Sequence, residues 1–229
     1  MQKHKNTLKY QEEVAKLLPA PISSITVQKK NTFRFSIFIN EQFLIGVSDS
    51  TLSSFNLSKG VLITPFLLAE IVDKENKWAI REYFLRLLGR RDHARNELRD
   101  KARKKDFPSE RIEEILDELT EKKYINNVEF AKKYVSDKFK FNSWGEIKIR
   151  SELFKKGVSE KDINIALQEI SPNDRNKTIQ DLILKYKRKF ERVDSIKRKK
   201  KIFDFLLRKG YDSNTILKQM PILLAIFKE

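Results

Sequence analysis

A chain of 229 residues with 40% hydrophobic and 35% charged residues has apolar material for a core beneath an unusually charged surface, which argues against wholesale disorder. Cysteine is absent, excluding disulfides and thiolate metal sites, and six glycines and six prolines leave long stretches without a backbone breaker, which favours helix. The net charge of +16 is uneven: residues 1–76 carry +2, 77–127 carry +3, 128–172 carry +2 and 173–229 carry +9, so the last quarter is expected to attract a polyanion such as nucleic acid or an acidic protein face.

The opening residues, MQKHKNTLKYQEEVAKLL, hold no apolar run of signal-peptide length, and no stretch reaches the roughly 20 apolar residues of a membrane span. A cytoplasmic protein without membrane contact is expected. In residues 22–48, Phe33, Phe35, Ile37 and Ile39 alternate with Arg34, Ser36, Phe38 and Asn40, the period of a half-buried strand. Phe43, Ile45 and Val47 alternate again after Asn40-Glu41-Gln42, which predicts a hairpin. A short helix over Thr51–Leu57, closed by Gly60, and a brief strand at Val61–Ile63 follow. Thr64-Pro65 then starts a helix, with Thr as cap and Pro at the first helical position. These elements make a small α+β unit over residues 1–76.

From Trp78 onward the period becomes helical. Shifting by 51 residues lays Leu98, Ala102, Phe107, Ile112 and Leu116 onto Ile149, Leu153, Val158, Ile163 and Leu167; a further 53 reaches Ile202, Leu206, Tyr211, Ile216 and Met220. This is an internal repeat of three helices each, with bounds 77–127, 128–172 and 173–229, expected to stack as an extended, curved array. Lys155-Lys156-Gly157 and Arg208-Lys209-Gly210 each end a middle helix with basic residues at its negative pole and Gly beyond it. Ser159 and Asp212 occupy the caps of the next helices. In the first copy Lys104-Lys105-Asp106 puts Asp for Gly, and Pro108 falls at the cap position, so a less regular turn is expected there. The fold class is therefore mainly α, three tandem three-helix repeats preceded by a hairpin-bearing α+β unit.

The inventory for catalysis is thin. His4 and His93 are isolated, the glycines form no phosphate loop, and Glu110, Glu113, Glu114, Asp117, Glu118 and Glu121 lie on the wet side of a helix whose other side is Ile112, Ile115, Leu116 and Leu119. No cofactor, metal or catalytic residue is expected. A metal-dependent nuclease made from these carboxylates is the least favoured reading. Basic residues are denser than helix solvation requires. Lys185, Lys187, Arg188, Lys189 and Arg192 fall on one expected helix, and Lys197, Arg198, Lys199, Lys200 and Lys201 open the next. Lys197 shares a face with Lys200 and Lys201, a group able to meet phosphates. Tyr186 and Phe190 between them could stack on bases, although four-residue spacing suits core aromatics better.

Arg91-Asp92-His93…Glu97-Leu98, then Tyr124-Ile125…Phe130-Ala131, then Glu152-Leu153…Lys156-Gly157-Val158 resembles the RecX family in order and spacing, over roughly residues 78–220. The hairpin unit is similar to the N-terminal extension of some members. The resemblance implies a non-enzymatic regulator that lies in the groove of the RecA–single-stranded-DNA filament and interferes with recombinase, ATPase and coprotease activities. Its implied partners are that filament and single-stranded DNA, with duplex DNA a weaker ligand, and the protein is expected to be a monomer. The contact candidates are Arg91, Arg95, Lys148, Arg150, Lys155 and Lys156 in the first two repeats. In the third they are Lys185, Lys187, Arg188, Arg192, Lys197, Arg198, Lys200 and Lys201. Asn126-Asn127 departs from the acidic residues usual in the family. The alternative is a helical regulator acting directly on duplex DNA, since a three-helix unit can place a recognition helix in the major groove.

Overall fold

The computed structural model describes residues 14–29 and 31–227; His4 and the start of the N-terminal unit lie outside them. The chain falls into two compact units. Among the described residues, the first gathers those up to Arg86 with Ala102–Ile115, and the second gathers Leu87–Lys101 with those from Leu116 onward.

In the first unit, β1 (Ala20–Gln28), β2 (Asn31–Ile39), β3 (Gln42–Ser48) and β4 (Leu62–Ile63) form an antiparallel sheet in the order β3-β2-β1-β4. The expected hairpin joins β2 to β3: Asn40 and Glu41 both take positive φ, 46° and 62°, the turn whose twist matches that of the flanking strands. Register sets Ile37 between Ile25 and Ile45, and Ile39 beside Ile22. Ile22, Ile37, Ile39, Leu44, Val47 and Ile63 are thereby buried in one core. Phe33 departs from the strand alternation and is 75% exposed. Pairing with β3 stops at Arg34, so Phe33 has no β3 residue beside it, and the period alone overstates burial at a strand end.

Helix α1 (Asp49–Ser54) starts two residues before the expected Thr51, because Ser48 Oγ accepts the Thr51 N–H (3.3 Å) and caps the helix there. Helix α2 (Pro65–Leu88) opens as expected, with Thr64 Oγ1 accepting the Leu67 N–H (3.1 Å). It runs unbroken through residues 76 and 77, where the sequence reading divides the α+β unit from the first repeat. Glu75 fastens α2 to the sheet: its carboxylate accepts from the Ser48 N–H (2.7 Å) and Oγ (2.8 Å), with the Arg34 guanidinium 3.0 Å away. A buried carboxylate is tolerable only with partners of this kind.

The first repeat comprises the end of α2, α3 (Arg95–Arg103) and α4 (Ser109–Glu121). The second comprises α5 (Asn127–Asn142), α6 (Glu146–Lys155) and α7 (Glu160–Leu167). The third comprises α8 (Pro172–Lys185), the short α9 (Lys187–Glu191), α10 (Ser195–Lys209) and α11 (Ser213–Ala225). Every recurring apolar position named above is buried except Phe107, which is half-buried against Tyr83 with ring centroids 5.9 Å apart. The turn after each middle helix is the same in all three copies. The N–H groups of Phe107, Val158 and Tyr211 donate to the carbonyls of Ala102, Leu153 and Leu206 at 3.4, 3.1 and 3.2 Å. Asp106 (φ 58°) takes the left-handed conformation that Gly157 (77°) and Gly210 (92°) take in their copies, one that Asp tolerates better than most non-glycine residues. Ser159 and Asp212 cap α7 and α11 through the N–H groups of Asp162 (3.1 Å) and Thr215 (2.9 Å). Pro108, lacking such a side chain, still accepts the Ile112 N–H through its carbonyl at 3.0 Å.

One expected helix is broken. The stretch from Lys185 to Arg192 is interrupted at Tyr186 (φ −104°, ψ 16°), so Lys185 ends α8 and Arg192 lies just past α9. The break lets Tyr186 and Phe190 both meet Phe205 edge-on, with ring centroids 5.2 and 5.5 Å apart. Packing two aromatics, Phe190 buried and Tyr186 half-buried, against a third outweighs one helical residue.

Candidate nucleic-acid and partner interface

The residues that carry the sequence resemblance converge on one place in the second unit. Glu97, in the first turn of α3, accepts from Arg91 Nη1 (3.1 Å), from Lys156 Nζ at the end of α6, and lies 3.1 Å from His93 Nδ1. Lys133 of α5 reaches Asp92, and Gly157 lies against the Asn96 side chain. Arg91, Glu97, Tyr134 and Lys156 line a cleft of about 330 Å³. Burial alone would raise the Glu97 carboxyl, but the Lys156 ammonium and the Arg91 guanidinium outweigh it and hold the group below its ordinary range. His93 is 5% exposed, and burial, aided by the charge of Arg91, pushes it below 6.5 despite Glu97. A neutral imidazole with its proton on Nδ1 donates to Glu97 and holds the start of α3 in place. This cluster joins the first repeat to the second.

A different joint links the second repeat to the third. The N–H groups of Gly145 and Ile147, at the start of α6, donate to the carbonyls of Lys209 (2.8 Å) and Gly210 (3.0 Å) at the end of α10. Tyr211, 2% exposed, donates its hydroxyl to the Ser143 carbonyl at 3.2 Å, and burial raises that hydroxyl far above its ordinary pKa. Arg175 pairs with Glu146 beside it. The two middle helices thus meet end to end, carbonyl pole against N–H pole, which satisfies groups a helix terminus otherwise leaves open.

The basic candidates separate into engaged and exposed groups. Arg95 pairs with Asp117 (2.8 Å), Lys155 with Glu152 (2.8 Å), Lys187 with Glu191 (3.7 Å), and Arg150 lies 4.0 Å from Glu160. Arg91 and Lys156 belong to the Glu97 cluster. Arg198 sits on Phe227 (4.9 Å) and donates to the carbonyls of Phe190 and Val193, both at 3.1 Å, so it closes the end of α9. Lys185, Arg188, Arg192, Lys197, Lys200 and Lys201 are exposed and make no ion pair among the described residues. Lys148 lies 4.3 Å over the Trp144 ring. Phe190 is 2% exposed and belongs to the core, so the base-stacking role left open for it falls away. The acidic face of α4 is tied into pairs: Glu114 with Lys77 (2.7 Å) and Arg111 (3.1 Å), and Glu118 with Lys122 (2.7 Å).

Two features escaped the sequence reading. Asn126 caps α5 by accepting the Glu129 N–H (3.1 Å), and Asn127 Oδ1 meets the Arg95 N–H at 3.5 Å, so the amides do at this turn what a carboxylate does at a cap. Tyr134, Lys138 and Trp144 were also passed over. Their signal was present as aromatic and lysine four apart, Tyr134 with Lys138 and Trp144 with Lys148. No helix among the described residues is long and apolar enough to cross a membrane, and no group of three His, Asp or Glu among them could hold a metal.

Three-helix repeats that follow a small sheet in the chain and carry exposed lysines define a tandem-repeat protein with the chemistry of a binding surface. Sequence models of one family match along its length: the regulatory protein RecX N-terminal domain at residues 20–64 and the first, second and third RecX three-helix domains at 81–119, 126–167 and 174–220. The chain belongs to the RecX family. A regulatory protein RecX of Listeria welshimeri is 30% identical over 84% of this chain and 71% of its own length. That of Clostridium perfringens is 30% identical over 87% and 95%. A crystal structure of regulatory protein RecX superposes with a TM-score of 0.72 at 27% identity, covering 86% of this chain and 96% of the other. RecX from Lactobacillus salivarius shares the fold at 22% identity and a TM-score of 0.59, covering 68% and 98%.

Proposed function

We propose that this protein binds RecA–single-stranded-DNA filaments and inhibits the recombinase, ATPase and coprotease activities of RecA, acting as a cytoplasmic monomer with no cofactor and no turnover of its own. The observation that carries this reading is the match of all four parts of the chain to the RecX regulatory family. The charge supports it: +9 of the +16 lies in residues 173–229, and Lys197, Lys200 and Lys201 stand exposed on one side of α10. Lysines without an ion-pair partner among the described residues are available to phosphates or to an acidic protein face, with counterion release as the driving force on nucleic acid.

The test is the ATPase rate of RecA on single-stranded DNA with increasing amounts of the purified chain. A falling rate is expected, and an unchanged rate at saturation would overturn the proposal. Replacing Lys197, Lys200 and Lys201 together with Gln should preserve helix content, since Gln is nearly as good a helix former as Lys, while weakening inhibition. Arg198 is left out of that variant because its guanidinium holds backbone carbonyls. Sequence-dependent binding to duplex DNA with no effect on RecA would instead mark a helical regulator acting on DNA directly.

A further inference from the structure

We propose that one face of the second repeat, bearing Lys156, Tyr134, Lys138, Trp144 and Lys148, seats a short stretch of single-stranded nucleic acid, with bases against the Trp144 and Tyr134 rings and phosphates against Lys138 and Lys148. This deepens the reading above and rests on its single-stranded partner.

Cations and rings alternate along this face without a gap. Lys156 Nζ lies 5.7 Å from the Tyr134 ring and Lys138 Nζ 5.3 Å from it; Lys138 Nζ is 5.4 Å from the Trp144 ring and Lys148 Nζ 4.3 Å. The groups over these rings are lysine ammoniums on flexible stems, which a base can displace and a phosphate can draw aside, while Tyr134 is backed by Phe130 with ring centroids 6.0 Å apart. Tyr134 and Trp144 rest on the core of the second repeat, so both rings are held in place and lose little freedom on binding. Lys138 and Lys148 make no ion pair among the described residues, and the neighbouring Glu152 is already held by Lys155 at 2.8 Å. One lysine between two anchored aromatics and a second over the outer ring, neither held in an ion pair among the described residues, reproduce the groove-and-platform chemistry of sequence-tolerant single-strand binding. An acidic peptide would use the lysines but leave the ring faces idle, so nucleic acid is the better fit.

The test uses the full chain without RecA and an oligothymidylate of about 15 nucleotides. The chain holds two tryptophans, so W78F leaves Trp144 as the sole indole, and its emission should be quenched as the oligonucleotide binds. By anisotropy of the labelled oligonucleotide, W144L should weaken binding about fivefold or more, with W144F largely retaining it. K138Q/K148Q, which touches no core residue, should flatten the slope of log affinity against log salt by about 1.4. Unchanged Trp144 emission overturns the proposal, as does K138Q/K148Q with wild-type affinity and salt slope. Polyglutamate quenching as strongly as oligothymidylate overturns it too, in favour of an acidic protein segment. RecA inhibition measured on the same variants separates the two readings. Inhibition intact in a chain that fails these tests sinks only the single-strand site, whereas wild-type protein that binds the oligonucleotide yet leaves RecA's ATPase unchanged sinks the filament reading.

Discussion

Between the first and second repeats, the neighbouring middle helices meet through charged side chains; between the second and third, they meet backbone to backbone. Glu97, Lys156, Arg91 and His93 make the first joint, and the Gly145 and Ile147 N–H groups against the Lys209 and Gly210 carbonyls make the second. The same repeat geometry is thus fastened by two kinds of force. Side-chain charges respond to salt and pH and can re-form around a new partner. Backbone hydrogen bonds at close approach respond to neither and tolerate no added atom. The first joint is the adjustable one.

Glycine substitutions break this comparison most directly. At Gly210 the backbone needs positive φ, and an added Cβ would collide with the Cβ and backbone of Lys148. G210A should therefore cost about 2–6 kcal/mol, the sum of backbone strain and overpacking, read as a lowered urea midpoint. G157A carries the same φ penalty, but the atoms nearest its added Cβ belong to the Asn96 side chain rather than to backbone, and a side chain can turn aside, so its loss should be smaller. Equal losses would show that the second joint is no tighter than the first. Gly145 has an ordinary φ of −78°, and its Cβ would strike the Gly210 carbonyl. G145A isolates the close approach and should cost about 1–3 kcal/mol.

Smaller effects belong to the charged joint. E97Q keeps the shape but removes the charge that Arg91 and Lys156 share, and should lower stability by about 1–2 kcal/mol, less at high salt. Its effect on pH dependence follows from the directions of the shifts. His93 is depressed below 6.5 in the fold, so the fold favours the neutral ring: its contribution is complete above that pH and is lost as the pH falls towards the folded value. Glu97, depressed below 4.5, contributes above that value and loses its contribution as the pH falls through its folded one. Both terms destabilise towards acid. H93Q should flatten the part of the stability curve just below pH 6.5 and leave the more acidic limb, which E97Q should flatten instead. Denaturation midpoints measured across that range would expose an error if the two variants changed the curve alike.

Much of this architecture was legible in the residues. The five apolar positions of each repeat, the glycine turns and the Ser159 and Asp212 caps all depend on contacts within a few residues, which periodicity and local hydrogen bonding control. Even the joints left a trace. The shifts that align the repeats also align Ala94, Gly145 and Arg198: the position is small where a neighbouring turn packs on it, and in the third copy it is an arginine that binds the Phe190 and Val193 carbonyls. The break at Tyr186 was not legible, because Lys185–Arg192 has a helix-compatible pattern and only Phe205, far along the chain, makes the interruption favourable.

For the candidate site, the sequence by itself determined how many cations there are and where along the chain they concentrate. The tertiary structure alone decided which of them are available. Arg91, Arg95, Lys156 and Arg198 look no different in sequence from Lys197, Lys200 and Lys201, yet the first group is engaged within the fold and the second is exposed. The physical reason is that a charge is neutralised by whatever lies within a few ångströms of it. Glu97 and Lys156 come that close across 59 positions of sequence, a distance that only the packing of one repeat on the next can close.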